Sequence, residues 1–145
     1  MINNTDAAYI AGLFDGEGTI CYKQYVERKK KHTGKGYRTT KTWRINMEIA
    51  MTDRSVLLWL YEVLQIGRVG KKPRKGKTKS GGKYKMQWRW RVTFREAYKV
   101  AVLLFPYAHT KLEGIQKIID HYSKRNIMNG KVVDLETYKE TMNLE

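Results

Sequence analysis

Cysteine is nearly missing from this chain: Cys21 is the only one, so no internal disulfide can form and no zinc site of the usual Cys or Cys/His type is available. The three histidines, His32, His109 and His121, sit at spacings that match no zinc motif and read as surface or loop residues. Long apolar runs are lacking too. The longest, at residues 7–14 and 100–105, are far too short to span a bilayer. No signal-peptide pattern opens the chain, so an intracellular protein with no membrane partner is expected. Acidic residues are the last shortage: 14 stand against 29 basic ones, a formal net charge of +15 with a pI near 9.9. Such an excess points to a polyanionic partner, with nucleic acid ahead of an anionic surface.

At 145 residues and 41% hydrophobic content the chain suits one domain, 1–145, around one core. Asn4, Thr5 and Asp6 can cap a helix that runs through the apolar stretch 7–14. Its small residues Ala7, Ala8, Ala11 and Gly12 make a thin face, one that a second backbone could approach closely. Gly16 and Gly18 are then expected to break the helix and flank Glu17, which leaves a carboxylate beside exposed main-chain carbonyls. A hard divalent cation prefers such oxygens.

Period-two alternation follows. In residues 19–29, Lys23, Tyr25, Glu27 and Lys29 share one parity and Ile20, Tyr22 and Val26 the other. A basic hairpin connection leads to residues 37–51, where Trp43, Ile45, Met47, Ile49 and Met51 alternate with Thr42, Arg44, Asn46 and Glu48. Asp53 can cap a helix carrying Val56, Leu57, Leu60, Val63 and Leu64 and ending at Gly67. Residues 68–79 read as a short strand running into a mobile basic loop that includes Lys71, Lys72, Arg74 and Lys75. A strand at 84–94 sets Met86, Trp88, Trp90, Val92 and Phe94 against Gln87, Arg89 and Arg91, so the tryptophans are expected inside and the arginines outside. Helices at 96–104 and 111–122 complete the core, and a tail from about 126 carries one more possible helix at 135–142.

This order predicts an α+β fold, a four-stranded antiparallel sheet with helices on one face and an open, concave, basic DNA-binding face. A strand of about 12 residues at roughly 3.3 Å each tracks about 12 base pairs of duplex. The candidate DNA contacts are Lys23, Tyr25, Glu27, Lys29, Thr42, Arg44, Asn46, Glu48, Lys72, Arg74, Gln87, Arg89 and Arg91, which offer base-edge and phosphate contacts.

The nine residues Ile10 to Gly18, IAGLFDGEG, resemble the signature of the LAGLIDADG homing endonucleases, and the element order matches the αββαββα fold of that family. The resemblance implies that Glu17 and the Gly16 carbonyl hold a catalytic divalent metal, with Mg2+ as cofactor, Mn2+ substituting and Ca2+ binding without efficient cleavage. With one signature copy it implies a homodimer on long, roughly palindromic double-stranded DNA, joined through Ala8, Ala11, Gly12 and Asp15, for which capping is an equal reading. Lys111 stands where family members often carry a lysine near the attacking water; an exposed helix-start residue is its other reading. The glutamine frequent at the end of the second strand is Met51 here, with Arg54 and Ser55 the nearest polar replacements. The implied activity is site-specific, divalent-metal-dependent cleavage of both DNA strands, with no small-molecule substrate. An intron maturase or DNA-binding regulator on the same scaffold is the alternative, and a general nucleic-acid coat protein a third reading.

Overall fold

The computed structural model describes residues 2–128. They form α1 (Asn4–Glu17), β1 (Gly18–Lys30), β2 (Tyr37–Met51), α2 (Arg54–Leu64), β3 (Arg68–Lys72), β4 (Gln87–Thr93), α3 (Phe94–Leu104) and α4 (Leu112–Met128). The possible helix at 135–142 lies outside the described residues. One antiparallel sheet has the order β1-β2-β4-β3, the expected αββαββα arrangement followed by α4.

The alternation in β2 and β4 decides which way the sheet faces. Met47 lies opposite Val92 and Ile49 opposite Trp90, and all four are at most 1% exposed. Ile10 and Phe14 of α1, Leu57 and Leu60 of α2, Val100 and Leu104 of α3, and Ile115, Ile118 and Ile119 of α4 close over them in one cluster. Burying each large side chain contributes about 2 kcal/mol, so the helix-covered face carries the stability of the fold. Trp90 has its polar end satisfied as well, its Nε1 donating to the Ile66 carbonyl at 2.9 Å.

Several boundaries differ from the sequence expectation. Asn3 caps α1, its Oδ1 accepting from the Asp6 N–H at 2.7 Å. Gly16 stays helical, and α1 ends at Gly18, where a Cβ would collide with the Phe14 side chain and carbonyl. Asp53 caps α2 as expected, but the left-handed residue that stops it is Gln65, at φ 56°, before Gly67. β4 begins at Gln87 because its partner β3 has only five residues, and Met86 lies outside the paired region, 45% exposed. Phe94 opens α3 instead of ending the strand, with φ at 50° and half its surface exposed.

Gly67, at φ 93°, is where α2 turns into β3 against Trp90. A Cβ there would sit 2.7 Å from Trp90 Nε1 and 2.8 Å from the Arg91 carbonyl, neither of which is free to move. Gly67→Ala is therefore expected to lose about 3 kcal/mol of stability, from the left-handed backbone and overpacking together. Urea unfolding measures it, and a loss below about 1 kcal/mol would show that this junction relaxes.

Candidate nucleic-acid interface and metal-holding helix end

The face of the sheet turned away from the helices is set by the same register. Lys23 lies opposite Arg44 and Lys29 opposite Arg38 across β1 and β2, and Arg68 lies opposite Arg91 across β3 and β4. Like charges placed directly across a ladder destabilise it, and of these three pairs two contain a cation that a carboxylate partly offsets, Lys29 by Glu27 and Arg91 by Glu48. Arg89 and Lys72 fall on this face as well, against only two carboxylates, Glu27 and Glu48. Tyr25 and Thr42 pair on it, as do Lys72 and Gln87, and Asn46 lies between Cys21 and Thr93. Beside β3 and β4 the face deepens into a hollow of about 1040 Å3, lined in part by Arg68, Arg89, Arg91 and Arg95.

The two carboxylates behave differently. Glu27 is half-buried and accepts loosely from Thr42, with Lys29 3.5 Å away. Glu48 is 7% exposed, the buried charged residue of the described chain. Its Oε1 accepts from Lys72 Nζ at 2.7 Å, and its Oε2 from Arg91 Nη2 at 2.7 Å and Nε at 3.1 Å. Burial works to raise the Glu48 carboxyl, but the hydrogen bonds and charges of Lys72 and Arg91 outweigh it and hold the group below its ordinary value. Both oxygens are thus committed inside the chain. Arg74 is off the sheet, in the connection 73–86, stacked 3.9 Å over the Tyr84 ring. Lys71 has the parity of Trp88 and lies on the helix side, 5.9 Å over that ring, where Arg54 also stacks at 4.4 Å. Ser55 is bound into the Asp53 cap through both its N–H and its hydroxyl. Met51 packs partly buried against the core.

Directly before β1, α1 presents three distinct sides. Ala7, Ile10, Ala11 and Phe14 are buried in the chain's own core, so Ala11 is unavailable to a partner. Ala8, Gly12 and Gly16 form an exposed stripe of small residues, and a Cβ at Gly12 or Gly16 would meet nothing within 4 Å. Gly16, helical instead of breaking α1, joins this stripe at i+4 from Gly12. The last turn of α1 carries Asp15 and Glu17 with no basic residue, at the helix end where carbonyls give partial negative charge. Asp15 is used within the chain: Oδ2 accepts from the His109 N–H at 2.8 Å and Oδ1 from the Lys111 N–H at 2.9 Å. Of its two readings the geometry satisfies capping, and it draws the Lys111 backbone to the end of α1, two residues from Glu17 in sequence. Glu17 itself is exposed.

No group of three or more His, Cys, Asp or Glu able to hold a metal occurs among the described residues. The donors at the α1 end, one carboxylate and main-chain carbonyls without intrahelical partners, are hard oxygens and fit a hard cation only if other oxygens complete the shell. No helix among the described residues is long and apolar enough to cross a membrane.

These features define a class, an α+β protein with one helix-covered and one open, strongly basic sheet face. The fold is that of the LAGLIDADG homing endonucleases. The archaeal intron-encoded homing endonuclease I-Vdi141I, complexed with DNA, superposes with a TM-score of 0.54 at 16% identity, over 98% of this chain and 99% of that one. The homing endonuclease I-CvuI, in complex with the I-CreI target in 2 mM Mg with the DNA not cleaved, gives 0.51 at 16% identity, over 96% and 93%. The LAGLIDADG homing endonuclease I-SmaMI bound to cleaved DNA gives 0.53 at 18% identity, over 96% of this chain but 45% of its own. No protein-family model and no curated protein matches the sequence.

The Glu48 cluster yields a stability test. A carboxyl held low contributes stability above its unfolded value, and that contribution is lost as pH falls through the folded one. Glu48→Gln is expected to cost about 1 kcal/mol at pH 7, a figure reduced because both cations are partly solvated. Wild type and variant should converge in urea unfolding as pH drops below the ordinary 4.5. A gap unchanged at pH 3 would mean that the pair is not electrostatic in origin.

Proposed function

We infer that this protein is a site-specific double-strand DNA endonuclease of the homing endonuclease type, acting as a homodimer on a long, roughly palindromic site. The observation that carries the reading is the combination of a strongly basic, only partly compensated sheet face with an acidic helix end, in a fold shared with enzymes solved on DNA. Either feature alone would be weaker. A basic face suits any polyanion, and an exposed glutamate is ordinary.

The exposed small-residue side of α1 supports the dimer. The stripe Ala8, Gly12 and Gly16 supplies the contact. Glycine inside a helix costs about 1 kcal/mol against alanine, and nothing among the described residues requires glycine at 12 or 16, so in our reading the small side chains serve a second backbone.

On the sheet, Lys23, Arg44 and Arg89 meet phosphates and base edges, with Asn46 and Gln87 offering paired donor and acceptor groups to the major groove. Duplex phosphates remove the repulsion of the like-charged rows. At the α1 end, Glu17 and the Gly16 carbonyl supply two oxygen donors, the partner copy and DNA phosphate the rest. A divalent cation bound there, magnesium in our reading, would activate water and offset charge developing on the phosphate. Lys111, whose backbone N–H is held at the same helix end by Asp15, is in our reading the residue whose Nζ would stabilise charge near the attacked phosphate.

Glu17→Gln is expected to abolish cleavage of both strands in magnesium while specific duplex binding, measured in calcium, stays within a few-fold of wild type. The amide keeps the size and loses the charge. Cleavage at the wild-type rate would remove Glu17 from the reaction and leave a DNA-binding regulator or maturase as the better reading. Gly12→Leu should leave the monomer folded and prevent dimerisation in sedimentation; an unchanged dimer would refute the α1 contact. Affinity for the cognate duplex should fall about 1,000-fold or more between 50 and 200 mM salt, as expected for six or more phosphate contacts, and a nearly flat salt dependence would contradict the basic face as the binding surface.

A further inference from the structure

Glu48 is the charged group that the proposed reaction leaves without a task. A glutamate on a DNA-facing strand reads most simply as an acceptor for the cytosine amino group. The geometry is against that. Oε1 is filled by Lys72 and Oε2 by two donors of Arg91, and the residue is 7% exposed, so no acceptor edge is turned outward.

Arg91 is in the opposite situation. Glu48 takes its Nε and one Nη2 hydrogen, the side-on edge of the guanidinium, while the side chain remains 38% exposed. What is left is the end-on edge, two parallel N–H donors from Nη1 and Nη2, held in direction by a buried carboxylate. Guanine offers two adjacent acceptors, N7 and O6, to such an edge, whereas adenine offers one acceptor and one donor that meets a donor head-on. A guanidinium fixed beforehand gives up less side-chain freedom on binding than a free one. Arg68, directly across the ladder from Arg91, would push the guanidinium aside if Glu48 did not hold it.

We propose that Glu48 is a positioning residue for base selection: it orients Arg91 to choose guanine at one base pair of each half-site, and does not itself touch a base. This rests on the sheet being the DNA-reading surface. Lys72, held by the other oxygen, is a single point donor and adds affinity with little choice between bases.

The experiment is selection from a randomised duplex pool with the full-length protein in calcium, comparing wild type, Glu48→Gln, Arg91→Leu and the double variant. Glu48→Gln and Arg91→Leu should flatten the same column of the selected site, each lowering the guanine preference about tenfold, with the other columns intact. The double variant should lose no more than Arg91→Leu alone, because the two residues act as one unit. Glu48→Asp, which keeps the charge but withdraws it by one methylene, should flatten that column too, and serves if the glutamine variant does not fold. Flattening of two different columns would make Glu48 a base reader and overturn the proposal. A site that Glu48→Gln leaves unchanged would overturn it as well. Neither result touches the endonuclease reading, which fails separately if the wild type enriches no site at all.

Discussion

The register between β2 and β4 is the constraint on which both faces of this molecule depend. Met47 against Val92 and Ile49 against Trp90 lock the apolar parity under the helices, and the pleat then leaves no choice for the other parity. Glu48 must stand opposite Arg91, and Asn46 opposite Thr93. A slip of one residue would bury the arginines and expose Trp90, at a cost of many kcal/mol from the tryptophan and the charges together. The core therefore fixes the order of polar groups on the open face to within one residue, and the cations there, outside the Glu48 ion pairs, do not help the fold.

They work against it. The rows Lys23–Arg44, Lys29–Arg38 and Arg68–Arg91 each place two cations at cross-strand distance. A protein evolving only for stability would mix the signs. Glu48 relieves one of these rows, and does so from a buried position, where a carboxylate is tolerated only because three hydrogen bonds from two cations surround it. The Lys29–Arg38 row, farther out along the β1–β2 hairpin, has weaker relief, from half-buried Glu27. The charge is thus regulated near the middle of the sheet and left open toward its tip, the distribution suited to choosing bases in one place and holding phosphates in another.

The sequence carried the alternation clearly, because a period of two needs no knowledge of distant residues. Parity in 43–51 and 86–92 put Trp90 inside and Arg91 outside before any fold was known. What it could not show were pairings made by the chain's return. Glu48 meets Lys72 and Arg91 from 24 and 43 residues away, and Asp15 meets His109 and Lys111 from 94 and 96. Glu48 therefore read as a DNA contact and Asp15 as a cap or a contact to the partner helix. The side of α1 was illegible for another reason: small and apolar residues surround this helix, so periodicity could not tell the buried Ala11 from the exposed Ala8. Phe94 continued the alternation of β4 and so passed for strand, although the chain turns there through a left-handed residue.

In the proposed dimer α1 does more than join two chains. Gly16 is the last small residue of its exposed stripe, and Glu17 follows it at about 1.5 Å further along the axis. Two helices in contact through glycine approach to about 8 Å, the close end of helix packing. In that dimer the two Glu17 carboxylates would fall near the axis, while each basic sheet would extend away from it along its own half of the duplex. The small side chain at Gly12 then governs a distance, since a bulkier residue would spread the helices and carry both carboxylates off the phosphates without disturbing either sheet. In this reading recognition would fall to the sheet and cleavage to the α1 end, which runs directly into β1 at Gly18, and the packing of two copies of α1 would set the spacing at which both strands are cut.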